Sequence, residues 1–142
     1  MSLPHAEAPG LQPPEVAGDR VVTNHWQRRV VRSMLEVVAE EGFISPSDIP
    51  EVGEHGTTIL TPVLAAYTAL ALGAHAEEAA DEQRRNFINT RALLFGEAAL
   101  QAGAAQDPPL EQTEATLYLE LEDMVVDLRD ERGGDLAPNI RG

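Results

Sequence analysis

Thr61 and Pro62 open a stretch in which nearly every position is apolar: Val63, Leu64, Tyr67, Leu70, Ala71 and Leu72 follow with no broad polar face among them. A threonine side chain accepts a hydrogen bond from the first turn of a helix, and proline fits the first helical position, so the pair marks a helix start. A helix that is apolar all round needs neighbours on every side and belongs in the middle of a bundle. Aromatic residues are only 4% of the chain, so its core has to be built from Ala, Leu and Val. That composition favours closely packed helices over a sheet sandwich. Gly73 either ends this helix or bends it.

Its neighbours are predicted on either side. A first helix should begin near Asn24, capped by Thr23 or Asn24, and end before Gly42, with Trp26, Val30, Met34, Val37 and Val38 as its buried stripe. Arg28, Arg29 and Arg32 sit early in it and Glu36, Glu40 and Glu41 late, the reverse of what the helix dipole favours. Ser45-Pro46-Ser47-Asp48 predicts a single capped turn, because Pro50 and Gly53 follow at once. From Ala74 to Ala102 the chain reads helical again, with Phe87, Leu94 and Ala98 in one line, Ile88, Leu93 and Phe95 beside it, and Gly103 as the stop. Asp107-Pro108-Pro109 opens a last helix whose stripe is Leu117, Leu121, Met124, Val125 and Leu128, with Gly133 as its stop. Leu117, Leu119 and Leu121 also alternate, as in a short strand, but the stripe continues too far to favour one.

The expected fold is therefore all-α: a bundle of about four helices over residues 23–132. Residues 1–22 are expected to be an extended proline-rich arm, carrying Pro4, Pro9, Pro13 and Pro14 with Leu3, Leu11 and Val16 as small anchors. Residues 133–142 are expected to be a tail.

Charge narrows the function. The chain holds 24 acids against 10 bases, for a net charge of −14, and every base is arginine. A field of that sign repels phosphate backbones and anionic lipid surfaces, so neither nucleic acid nor a membrane is expected as a partner, whereas basic protein faces are attracted. The longest apolar run, Leu60 to Leu72, is short of the roughly 18 residues that cross a bilayer. Met1 to Gly10 has neither the basic start nor the apolar core of a secretion signal, and a cytoplasmic location is expected. Arg20, Arg28, Arg29 and Arg32 form the main basic cluster and, with Trp26, are read as a partner-binding face. Replacing Arg28, Arg29 and Arg32 with Glu is expected to abolish that binding without unfolding the bundle.

Site chemistry is sparse. The chain lacks cysteine, which removes thiolate metal sites and cysteine nucleophiles. His75, Glu78 and Glu82 would share a helical face, but a dinuclear carboxylate centre needs paired Glu-x-x-His elements, and none is present. Ser33, Ser45 and Ser47 lie outside any Gly-x-Ser-x-Gly elbow, and no Gly-rich phosphate loop occurs. No catalytic residue, metal or cofactor is therefore assigned. If a pocket lies between the helices, Tyr67, His75 and Phe87 are its expected lining, with Trp26.

The segment from Val21 to Gly42-Phe43 carries His25-Trp26-Gln27 at a helix start, then Val30, Met34 and Glu41-Gly42-Phe43, followed by an acidic turn at Asp48 and a Tyr67-bearing helix. This order resembles the N-terminal helical region of the nitrile hydratase beta subunit, which is shared by thiocyanate hydrolase subunits and nitrile hydratase activator proteins. The resemblance implies a partner chain that carries the metal and its cysteine ligands, consistent with a cysteine-free sequence. It also implies an arginine soon after the first helix that contacts those ligands. Here no arginine lies between Arg32 and Arg84, which turns the implied role toward an accessory or activator-like chain.

The leading expectation is a non-catalytic accessory or beta-like subunit that binds and supports a partner enzyme chain. Two alternatives fit the same residues: a stand-alone helical enzyme or small-molecule-binding protein, and a homo-oligomeric scaffold.

Overall fold

The computed structural model describes residues 12–51 and 56–136. Leu3 and Leu11 of the expected arm, the loop residues Gly53 and His55, and the tail beyond residue 136 lie outside the described residues.

The first departure from expectation is a small sheet. β1 (Glu15–Ala17) and β2 (Arg20–Thr23) form an antiparallel hairpin, and β3 (Thr58–Leu60) adds to the other edge of β2 in the order β1-β2-β3. Only Gly18 and Asp19 separate Ala17 from its partner Arg20, and Gly18 takes φ +62°, as a two-residue hairpin turn requires. Val21 lies opposite Leu60 and both are fully buried, while Val22 and Ile59, opposite each other one step on, turn away from the core. Thr23 Oγ1 donates to Thr58 O at 3.2 Å inside the same layer. The protein is thus mostly helical, not strictly all-α. The boundary expected between arm and domain at residues 22 and 23 falls inside a strand.

α1 (Arg28–Glu40) starts later than expected, because residues 24–27 form a turn before it. Asn24 Oδ1 accepts from Trp26 N–H at 2.9 Å and from Gln27 N–H at 2.8 Å, while Gln27 Oε1 accepts from Asn24 N–H at 2.9 Å. Gln27 is buried, and its Nε2 donates to Gln12 O at 2.6 Å, which ties the segment before β1 to the start of α1. The helix buries Val31, Leu35 and Val38, with Val30 and Met34 half-buried beside them. Trp26 and Val37, expected in the buried stripe, are exposed. At its end Phe43 N–H reaches Val38 O and Gly42 N–H reaches Ala39 O, with Gly42 at φ +89°. This paired pattern satisfies the last carbonyls and leaves Phe43 pointing outward. Pro46–Asp48 then makes the expected single 3-10 turn, closed by a capping box in which Asp48 accepts from Ser45 N–H at 3.1 Å.

α2 (Pro62–Glu77) starts as the sequence predicts: Thr61 Oγ1 accepts from Leu64 N–H at 3.3 Å and Pro62 takes the first turn. Gly73 neither ends nor breaks it. The break comes at residues 78–81, where Asp81 Oδ1 accepts from Arg84 N–H at 2.7 Å and starts α3 (Glu82–Ala105), so the single helix expected from Ala74 to Ala102 is divided between α2 and α3. α4 (Leu110–Thr113) is one turn, and α5 (Ala115–Leu136) carries the predicted stripe of buried Leu117, Leu121, Val125 and Leu128, with Met124 half-buried. α5 passes Gly133, the expected stop, and the strand alternative at Leu117–Leu121 is helix.

α2 lies against α1, α3 and α5, most extensively α3, and buries Ala65, Ala66, Ala69 and Ala76. Small residues allow this proximity. A Cβ placed on Gly96 would lie 2.6 Å from Val125 Cγ2, so only glycine lets α3 and α5 meet at their present distance. The sheet packs on α2 and α3, and β3 leads directly into α2.

Candidate functional site

Two clefts border α1 where it meets the rest of the bundle, and both reuse Met34 and His75 as walls. The first, of about 290 Å³, lies between α1 and α2 with Met34, Val37, Tyr67 and Leu70 as its apolar sides. Phe43 stands over it because the Gly42 turn reverses the chain there; its ring centroid lies 6.0 Å from that of Tyr67. Glu41, Glu78 and Glu120 add three carboxylates to the lining. Burial raises the Tyr67 hydroxyl above its ordinary value of 10.0, and the negative charges of Glu114 and Glu120 raise it further.

The second cleft, of about 270 Å³, lies between α1, α2 and the first turns of α3, and has the opposite sign. Arg29, Arg84, Arg91 and His75 line it, and no carboxylate does. The Arg91 guanidinium sits 4.5 Å from the centre of the Phe87 ring, and burial lowers its pKa from the ordinary arginine value.

A broader groove of about 770 Å³ separates α1 from the 3-10 turn, with Pro46, Ile49 and Pro50 on one side. Arg32 and Glu36 line its helical side and pair at 3.5 Å, more than half exposed, an arrangement that adds little energy.

The arginines expected to act together are spread apart. Arg20 lies on β2 and pairs with its own neighbour Asp19 at 3.1 Å. Arg28 is half-buried beside Gly56, Arg29 lines the basic cleft, and Arg32 faces the broad groove. Trp26 stacks at a tilt on His25, 4.6 Å between ring centres, and lines none of the three clefts. Of the expected pocket residues, Tyr67 and His75 share the acidic cleft, and His75 and Phe87 share the basic one.

Phe43, Val37, Arg84 and Arg91 were not singled out from the sequence as site residues. Arg84, Phe87 and Arg91 follow one another at helical spacing on α3, which is the signal that could have revealed them. Phe43 directly follows a helix-ending glycine, a position whose apolar side chain normally folds back on the helix; here it is 63% exposed.

Ser45 and Ser47 serve the 3-10 turn, with their hydroxyls 2.9 Å apart. The helix break at residues 78–81 takes Glu82 onto α3, so His75, Glu78 and Glu82 do not share one helical face. Among the described residues, no group of three or more His, Asp or Glu side chains is placed to hold a metal ion, and no helix is long and apolar enough to cross a membrane. Comparison with protein-family models, with curated proteins and with solved structures finds no match to this chain.

Proposed function

We propose that this chain is a non-catalytic protein-binding subunit that grips an apolar segment of a partner chain in the cleft between α1 and α2. The observation that carries this reading is the exposure of Phe43 and Val37, 63% and 42%, on the wall of a cleft whose sides are apolar and whose lining also carries three carboxylates. Large apolar side chains grouped in this way on a folded surface mark contact sites more often than isolated ones do. Glu41, Glu78 and Glu120 select a segment whose apolar anchor is flanked by Arg or Lys, and the net charge of −14 steers such a partner inward. Arg28 and Arg32, one turn apart on another flank of α1, extend the contact with Trp26, so their replacement by Glu weakens the complex without abolishing it.

The resemblance of the Val21–Tyr67 region to nitrile hydratase beta subunits makes a metal-carrying catalytic chain of that type the first partner to test. In that setting an accessory or activator-like role fits best, because the arginine that contacts the metal's ligands in that family is missing here.

The test uses the full chain isolated gently from its native host. Wild-type protein should retain one partner chain in stoichiometric amount, and the Val37→Glu, Phe43→Glu double variant should not. Both should melt alike, since surface changes of this kind cost within about 0.5 kcal/mol each. A double variant that keeps the partner sinks the proposal.

A further inference from the structure

The cleft between α1, α2 and α3 differs from the docking cleft in one respect that decides its chemistry. It concentrates three of the chain's ten basic residues, Arg29, Arg84 and Arg91, in a protein of net charge −14, and its lining contains no Asp or Glu. Among the described residues, the ion pairs of the structure involve neither Arg29 nor Arg84. The acids nearest Arg84 in sequence are Glu82, in the same first turn of α3, and Asp81, engaged as the cap of that helix; neither lines the cleft. Arg84 belongs to the first turn of α3, where the helix dipole adds further positive potential. Arg29 and Arg84, both exposed, line this one space from separate helices, with no carboxylate among the lining residues. An anion entering there meets guanidinium groups from two helices.

Apart from Ser33 and His75, the remaining walls are apolar. Val30 and Met34 come from α1, Leu72 from α2, and Phe87 and Ile88 from α3. Phe87 is 42% exposed, and the Arg91 guanidinium lies against its ring at 4.5 Å. A volume of about 270 Å³ takes a molecule of one or two fused rings, or a short acyl chain.

We propose that this cleft binds a small organic anion, a carboxylate carried on an apolar body, with Arg29 and Arg84 on the carboxylate and Phe87, Met34 and Leu72 against the body. Arginine suits the role because its planar fork meets both carboxylate oxygens. Inorganic anions lack the apolar half and bind weakly; neutral apolar molecules lack the charge and do likewise. The site is independent of the docking cleft's rim residues Val37 and Phe43.

The test titrates the full chain with 2-naphthoate and, separately, with 2-naphthalenemethanol, its neutral counterpart, by calorimetry. Saturable binding of the carboxylate is expected, at least about tenfold tighter than the alcohol, because a charge-assisted contact contributes on that scale. Arg29→Gln with Arg84→Gln should lower naphthoate affinity by about tenfold or more and leave alcohol binding unchanged. Phe87→Ala should weaken both ligands, and the Val37→Glu, Phe43→Glu variant should bind naphthoate as the wild type does. Circular dichroism melts establish that each variant is folded. Naphthoate binding no tighter than the alcohol's, an unaltered affinity in the arginine variant, or no saturable binding up to the solubility limit overturns the proposal.

Discussion

α1 and α2 pack against each other, yet their apolar surfaces finish in opposite circumstances. α2 is apolar around most of its circumference and is met by α1, α3 and α5, so its excess is absorbed within the fold. α1 buries Val31, Leu35 and Val38 in the core, principally against α2, and leaves Val37, with the neighbouring Trp26 and Phe43, facing outward. One helix has its apolar surface closed by the fold. The other carries more than the fold covers, and both small clefts open along its border.

The comparison can be broken most severely at the closed side. Gly96→Leu forces a side chain into space where a Cβ alone would lie 2.6 Å from Val125, and urea unfolding should show a loss of about 3 kcal/mol or more, or no cooperative transition. Truncation of buried leucines sharpens the contrast. Leu121→Ala, in α5 where it packs close to α3, should fall in the upper part of a range of about 2–5 kcal/mol, and Leu35→Ala in α1 in the lower part, because α1 has fewer neighbours and can settle into the gap. If the two cost the same, α1 is as firmly held as the centre. Thr61→Ala removes the cap of α2 and should cost about 1 kcal/mol.

The smallest effect is alkaline. The chain has no lysine and no cysteine, so its two tyrosines are the side chains that titrate near pH 10. Burial, then nearby glutamates, raise both Tyr67 and Tyr118 above 10.0, and Tyr118 also donates to Glu122. A raised folded value means the neutral phenol is favoured in the native state. The resulting stability is complete below the unfolded value of 10.0 and disappears as pH rises through the folded one. The melting temperature of the wild type should therefore fall slightly more steeply above pH 10 than that of Tyr67→Phe, Tyr118→Phe. Parallel curves would show that the two phenols lack this coupling.

Much of the helical frame was legible because its signals are local. Thr61-Pro62, the Ser45–Asp48 capping box and Gly42 act within one turn of where they stand, and the stripe of α5 is a plain helical period. The hairpin was also written locally, in Gly18-Asp19 between Val16 and Val21-Val22-Thr23, but the prolines before it favour an extended arm and obscured it. The break between α2 and α3 was hidden because no Gly or Pro marks residues 78–81; only Asp81, as a cap, does. Trp26 was misplaced because its spacing fits α1 while the Asn24 turn holds it outside the helix.

The clefts were least legible. Arg29 and Arg84 are remote in sequence and share one space through the packing of α1 and α3 about α2, which no spacing rule records. Tyr67, His75 and Phe87 were found as candidates from their side-chain types and helix placement, but their division between an acidic and a basic cleft depends on tertiary structure.

The most direct measurement is native mass spectrometry of the wild-type chain isolated gently from its native host. The account predicts a heteromeric complex with one other protein in whole-number stoichiometry, which dissociates in the Val37→Glu, Phe43→Glu variant. A wild-type chain that appears only as a monomer or only as a homo-oligomer would contradict it.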